Sequence, residues 1–282
     1  MDLKKLRRTA HERLREDPGI DSPEADADLI IMHVLGIDKS TLITSDMNVP
    51  DAIAVEVNAY LNRRRSGMPV QYIIGKCEFM SLEFEVNKNV LIPRADTETL
   101  VEAVIEKYKS VPAPPKILDI GCGSGCIGIS LAKYIIGASV CELDVSAAAL
   151  RLSESNAEKH RVTKQMSFIE GDILKRLPDI GFVPDCIVSN PPYIRTDDLL
   201  ELQTEVIEFE PIIALDGGDD GLMFYRAIIK NAQPKKGGIL AFEVGYDQAD
   251  DVADLMHKSG YINIEILPDL SGIDRVVTGF RS

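Results

Sequence analysis

In VSNPPYI, residues 188–194, an apolar run ends in an asparagine, two prolines and a tyrosine. Pro191 disfavours helical geometry at Asn190, and Pro192 does the same to Pro191, so the segment is extended and stiff. The Asn190 side-chain oxygen and the Pro191 carbonyl then become two acceptors in fixed positions. Two such acceptors match the hydrogens of an –NH2 group and leave its nitrogen lone pair aimed at an electrophile. The Tyr193 ring is suited to covering the planar group that carries the nitrogen. In-line transfer of a methyl group to such a nitrogen depends on positioning. It needs no strong base, because a methylated, positively charged amide nitrogen sheds its proton readily. A tetrad without His or Lys fits that chemistry. Adenine N6, cytosine N4 and glutamine N5 all satisfy it.

The second chemical signal is ILDIGCGSGCIGISLA, residues 117–132. Gly121, Gly123 and Gly125, with Cys122 and Ser124 between them, form a loop that lets the backbone approach a ligand closely. The helix start behind them offers free amides. Gly123, Gly125 and Gly128 also satisfy the dinucleotide fingerprint, and Asp144 supplies the acid about 20 residues later that binds two ribose hydroxyls. On that pattern alone, NAD and S-adenosylmethionine are tied. Asp119, just before the glycines, suits a cationic amino group better than a pyrophosphate, which favours S-adenosylmethionine. Asp172 ends a later strand, where it either reads an adenine amino group, with Ile173 covering the base, or only closes the strand.

These residues need a scaffold. From Lys116 onward, strand-like runs (KILDI, ASVCELD, MSFIEGD, DCIVS, GGILAFEV, INIEILPD, DRVVTGF) alternate with helical patterns. That predicts a mainly parallel sheet with helices on both faces, and the crevice at its switch point collects ligands. Only LSGI separates the last two strands, so they pair as an antiparallel hairpin. Phe79, Leu82, Phe84 and Val86 predict an earlier hairpin. Before it the chain reads as helices. One carries Leu3, Leu6, Ala10 and Leu14. One begins at Ser22-Pro23 and stops at Gly36. A third runs from Asp51 through Val55, Ala59 and Tyr60 to Arg63, Arg64 and Arg65. A further helix spans residues 96–108.

Composition sets limits. No apolar run is long enough to span a bilayer and no signal peptide is visible, so a cytoplasmic protein is expected. The five cysteines (Cys77, Cys122, Cys126, Cys141, Cys186) lack metal-ligand spacing and read as buried thiols in a reducing compartment, with no metal site. The net charge is −14; residues 1–90 carry 12 Lys/Arg against 15 Asp/Glu, so the remainder holds −11. An acidic body repels phosphate backbones, which argues against nucleic acid as the substrate.

With these motifs in view, the chain resembles the HemK-like protein-(glutamine-N5) methyltransferases that modify peptide chain release factors. The resemblance rests on RRRSGMPVQYIIGKCEFMSLEFEVNKNVLIPRADTETLVE, DIGCGSGCIGISLA, VSNPPYI, EFEPIIALDGGDDGLMFYRAII and DLSGIDRVVTG. It implies a small N-terminal helical domain (1–75) that docks the release factor and a β-hairpin connector (76–90). A Rossmann-like, seven-stranded S-adenosylmethionine-dependent methyltransferase domain (91–282) follows. It assigns cofactor contacts to the Gly121–Gly125 loop and Asp144, and places the glutamine of a Gly-Gly-Gln loop at Asn190, Pro191, Pro192 and Tyr193. Residues 92–98, IPRADTE, should lie over the active site, with Arg94 either ordering that loop or making a structural ion pair. Arg63–Arg65 are either a solvated helix end or a contact for an acidic partner or RNA. The rivals are a DNA or RNA adenine/cytosine amino-methyltransferase, a non-catalytic S-adenosylmethionine-binding module and an NAD-dependent dehydrogenase. The first requires a basic groove, and the other two leave NPPY unexplained.

Overall fold

The computed structural model describes residues 1–282 throughout. Helices α1 (Leu3–Arg15), α2 (Pro23–Leu35), α3 (Lys39–Thr44), α4 (Asp51–Arg65) and α5 (Val70–Ile74) open the chain. Strands β1 (Lys76–Phe79) and β2 (Leu82–Glu85) follow. Next come α6 (Glu98–Tyr108), β3 (Lys116–Ile120), α7 (Cys126–Tyr134), β4 (Ser139–Asp144), α8 (Ala147–His160), β5 (Met166–Glu170) and β6 (Cys186–Ser189). The chain closes with α9 (Thr204–Phe209), α10 (Met223–Asn231), β7 (Ile239–Glu243), α11 (Ala249–Lys258), β8 (Tyr261–Pro268) and β9 (Asp274–Arg281). Residues 1–76 and 203–209 make one compact unit, and residues 77–202 and 210–282 make the other. No helix is long and apolar enough to cross a membrane.

In the helical unit the Asp2 carboxylate caps α1 by accepting from Lys5 N at 2.7 Å, and Leu3, Leu6, Ala10 and Leu14 form the buried stripe. Pro23 starts α2, and Gly36 ends it in the left-handed region at φ 63°. The sequence pattern misjudges α4. Its core face is Ala54, Val57, Leu61 and Arg64, whereas Val55 is 68% exposed and Tyr60 only partly covered. The spacing 54-57-61 makes the continuous stripe, and Val55 falls outside it. Arg64 is no solvated helix end. Its Nε donates to Asp26 at 2.6 Å, and its Nη2 forms an ion pair with Glu205 of α9 at 2.8 Å. Both α3 and α5 are additional to the predicted helices; at 6 and 5 residues they are too short to show a period.

In the larger unit the sheet order is β5-β4-β3-β6-β7-β9-β8. Strands β3 to β7 run parallel, and β9 is antiparallel to both β7 and β8. The central strands β6 and β7 are buried at every position, as apolar runs covered on both faces must be. Alternation divides the core. Ile117, Val140, Val188 and Ala241 pack on one face with α6 and α7, while Leu118, Cys141, Ile187 and Phe242 pack on the other with α10 and α11. The β1–β2 hairpin packs on this core. Phe79 and Phe84 join the first face, and Glu85 N donates to Asn156 of α8 at 2.7 Å.

Candidate active site

Chain order reverses between β3 and β6: β4 and β5 lie to one side, β7 to the other. The loops leaving the carboxyl ends of β3, β4, β5 and β6 surround a cavity at this switch point. From β3 come Gly121, Cys122, Gly123 and Ser124; from β4, Asp144; from β5, Asp172 and Ile173; from β6, Asn190, Pro191 and Pro192. Residues 93, 94 and 97 of IPRADTE close one side.

Gly121 and Gly123 have φ values of 75° and 55°, which disfavour a side chain. A Cβ at Gly121 would meet nothing within 4 Å, and one at Gly123 only Val90 at 4.0 Å, so both backbones border open space. The Asp144 carboxylate is anchored at the rim: Oδ2 accepts from Gly123 N at 2.9 Å and Oδ1 from Ser146 N at 2.8 Å. Burial nevertheless raises its pKa, outweighing those amides. Asp172 accepts from Leu174 N at 3.0 Å, and Ile173 is 6% exposed.

The tetrad is braced from several sides. The Asn190 amide nitrogen donates to Thr97 Oγ1 at 3.2 Å. Beyond it the exit zips against LDGG: Ile194 N donates to Leu215 O at 3.0 Å and Gly217 N to Ile194 O at 2.7 Å. A Cβ on Gly217 would lie 2.7 Å from Tyr193 Cα, so only glycine permits this approach. Gln248, 2% exposed, donates to Tyr193 O at 2.9 Å and accepts from Gly245 N at 3.1 Å. Arg94 pairs with Glu210, whose Oε2 also accepts from Ile92 N at 3.4 Å. One ion pair thus orders the loop, uniting the two roles open to Arg94.

Three of the expected site residues lie outside the cavity wall. Asp119 is fully buried outside the cavity wall; its Oδ2 accepts from Gly128 N at 3.0 Å, and it faces Glu142 across the β3–β4 register. Burial pushes both carboxyls up, and the neighbouring Asp119 raises Glu142 further, so the pair lies together under the loop. Gly125 also lies outside the wall, because α8 fills its Cβ direction with Ser153 Oγ at 2.2 Å. Tyr193 is not in the wall either; its side chain packs with the β7–α10–α11 core beside Gly245, and burial raises its pKa. Composition and spacing gave no hint of Thr97, Glu210 or Gln248. Only their places within or near the quoted family segments pointed to the first two.

The fold and the site define a Rossmann-like S-adenosylmethionine-dependent methyltransferase. A family model for the methyltransferase small domain matches residues 95–209, and one for the PrmC N-terminal domain matches residues 5–75. The release factor glutamine methyltransferase of Clostridium acetobutylicum is 40% identical over 259 residues, 91% of this chain and 90% of its own length. The chain belongs to the family of release factor glutamine methyltransferases. The Geobacter sulfurreducens member is 40% identical over 266 residues, covering 93% and 91%. Among solved structures, the hMettl16 catalytic domain in complex with MAT2A 3'UTR hairpin 1 aligns with a TM-score of 0.58 at 15% identity, over 84% of this chain and 82% of that one. That likeness concerns the fold alone.

Proposed function

We propose that this chain methylates the side-chain amide nitrogen of the glutamine in the Gly-Gly-Gln loop of class I peptide chain release factors, in the cytoplasm, and so tunes peptide release. The observation that carries the reading is Asn190, its amide nitrogen bonded to Thr97 at 3.2 Å, lining the same cavity as Asp144 and the glycine loop.

The wall fits the cofactor. The open backbones of Gly121 and Gly123, with Cys122 and Ser124, would lie along its methionine portion. Asp144 would accept from the ribose hydroxyls, which both its oxygens can do while keeping their amide bonds. Asp172 would read the adenine amino group, and Ile173 would cover the ring. S-adenosylmethionine, when bound, supplies an electrophilic methyl on sulfur and leaves as S-adenosylhomocysteine. Asn190 Oδ1 and the Pro191 carbonyl would take the two hydrogens of the glutamine amide and turn its lone pair toward that methyl. Pro192 keeps the pair extended. The extra proton leaves to water, since the methylated nitrogen is strongly acidic. The helical unit, matched by the N-terminal family model, would dock the release factor.

The test is transfer of a labelled methyl group to a purified class I release factor, to its Gly-Gly-Ala version, and to single-stranded and duplex DNA. Label on the wild-type factor alone is expected. Label on DNA and none on the factor would instead establish the nucleic-acid amino-methyltransferase.

A further inference from the structure

We infer that Thr97 and Glu243 are positioning residues for Asn190: Thr97 holds an amide hydrogen behind the tetrad and Glu243 orients the Thr97 hydroxyl, so that Oδ1 faces the substrate nitrogen. This rests on the proposed glutamine reading for its catalytic consequence, but the geometry exists without it.

Strands β6 and β7 are parallel neighbours with Ser189 opposite Phe242, so Asn190 and Glu243 are each the next residue of adjacent strands. Thr97, from the 3-10 turn Ala95–Thr97, reaches both. It is 2% exposed, as is Glu243. The Asn190 amide nitrogen donates to Thr97 Oγ1 at 3.2 Å, and Thr97 and Asn190 both stand beside the Glu243 carboxyl and lower its pKa. A hydroxyl has one proton. While it accepts from Asn190 its own proton is available to Glu243 beside it, and an ionised carboxylate only accepts. The chain of bonds therefore has one direction. It selects between two amide rotamers of almost equal shape, and only one presents an acceptor to the cavity. The other would set an –NH2 against the substrate's –NH2.

The remaining groups around Glu243 are Arg275 on β9, Asp96 in the turn, Tyr193 at the end of the tetrad and Tyr225 on α10. Glu243 Oε2 has no hydrogen-bond partner. Burial first, and Asp96 second, raise the carboxyl to about 7, against the lowering by Thr97, Arg275 and Asn190. Protonated Glu243 can donate to Thr97, and the direction of the chain is lost.

The experiment compares Thr97→Val, Thr97→Ser and Glu243→Gln by kcat and KM for the release factor, cofactor affinity and a kcat–pH profile. It also records the Asn190 side-chain amide resonances, assigned by their loss in Asn190→Ala. Thr97→Val should lower kcat by about ten- to a hundred-fold, with KM and cofactor affinity within about two-fold, and should shift the Asn190 amide resonances. Thr97→Ser should restore kcat to within about three-fold. Glu243→Gln should flatten a profile that in the wild type rises through about pH 7. If Thr97→Val leaves the resonances and kcat unchanged, or if Val and Ser lower kcat and Tm equally, the positioning role is overturned and the glutamine reading stands. If the wild type methylates no release factor while the resonances still depend on Thr97, the substrate is overturned and the positioning stands.

Discussion

In the proposed reaction Asn190 would bring a neutral amide to a neutral substrate amide, so orientation would be the whole of its contribution. Asn190→Ala should leave cofactor binding nearly intact and lower turnover by about a hundred-fold or more, as loss of a positioning group does. Asp144→Ala should weaken cofactor affinity first; equilibrium binding beside single-turnover rates separates the two. Buried Glu243 also couples function to stability. Its folded pKa is raised from 4.5 to about 7, so the native state holds the proton more tightly than the unfolded chain does. The associated stability is complete below about pH 4.5 and is lost as pH rises through about 7. Melting curves between pH 5 and 8 should show Tm falling with pH, and falling less in Glu243→Gln. Some slope remains, because the Asp119–Glu142 pair is shifted the same way.

At the scale of elements, the β1–β2 turn places Met80 and Ser81 at φ 51° and 58°, where L-residues are strained. Met80 packs against the core, but Ser81 is exposed. Ser81→Gly should therefore raise stability by about 0.5 kcal/mol, the strain relieved less the flexibility gained, read from the urea midpoint. Arg64 offers the opposite case. Arg64→Ala would leave Asp26, 8% exposed, buried and unpaired, at a cost of about 3 kcal/mol. Arg64→Met with Asp26→Leu should regain most of that loss. The strands were legible because parallel strands covered on both faces are continuous apolar runs, and LSGI was too short for anything but a hairpin. The glycine loop and the tetrad were legible because their residue types restrict the backbone wherever they occur. Asp119 lies outside the wall because a carboxyl before a glycine loop can accept from an amide of the helix behind that loop as well as meet a ligand. Thr97 and Glu243 meet Asn190 only through tertiary contact, across 93 residues of chain in the case of Thr97, and no local spacing records that.

At the scale of the molecule, a net charge of −14 should keep nucleic acid affinity low even at low salt, where counterion release favours binding most. Filter binding of duplex and single-stranded DNA at low ionic strength should therefore detect little retention, and a steep salt dependence of tight binding would contradict the reading. The segment 203–209 has a separate consequence. It belongs to the same unit as residues 1–76, with Glu205 of α9 on Arg64 and Gln203 on Asp21. A ribosome reads the gene from the first codon, so the nascent helices wait for a piece encoded far downstream. At about 5–20 residues per second the delay is on the order of ten seconds. During that interval the opening helices lack part of their own cover, so the chain is most exposed to proteases and chaperones midway through its birth.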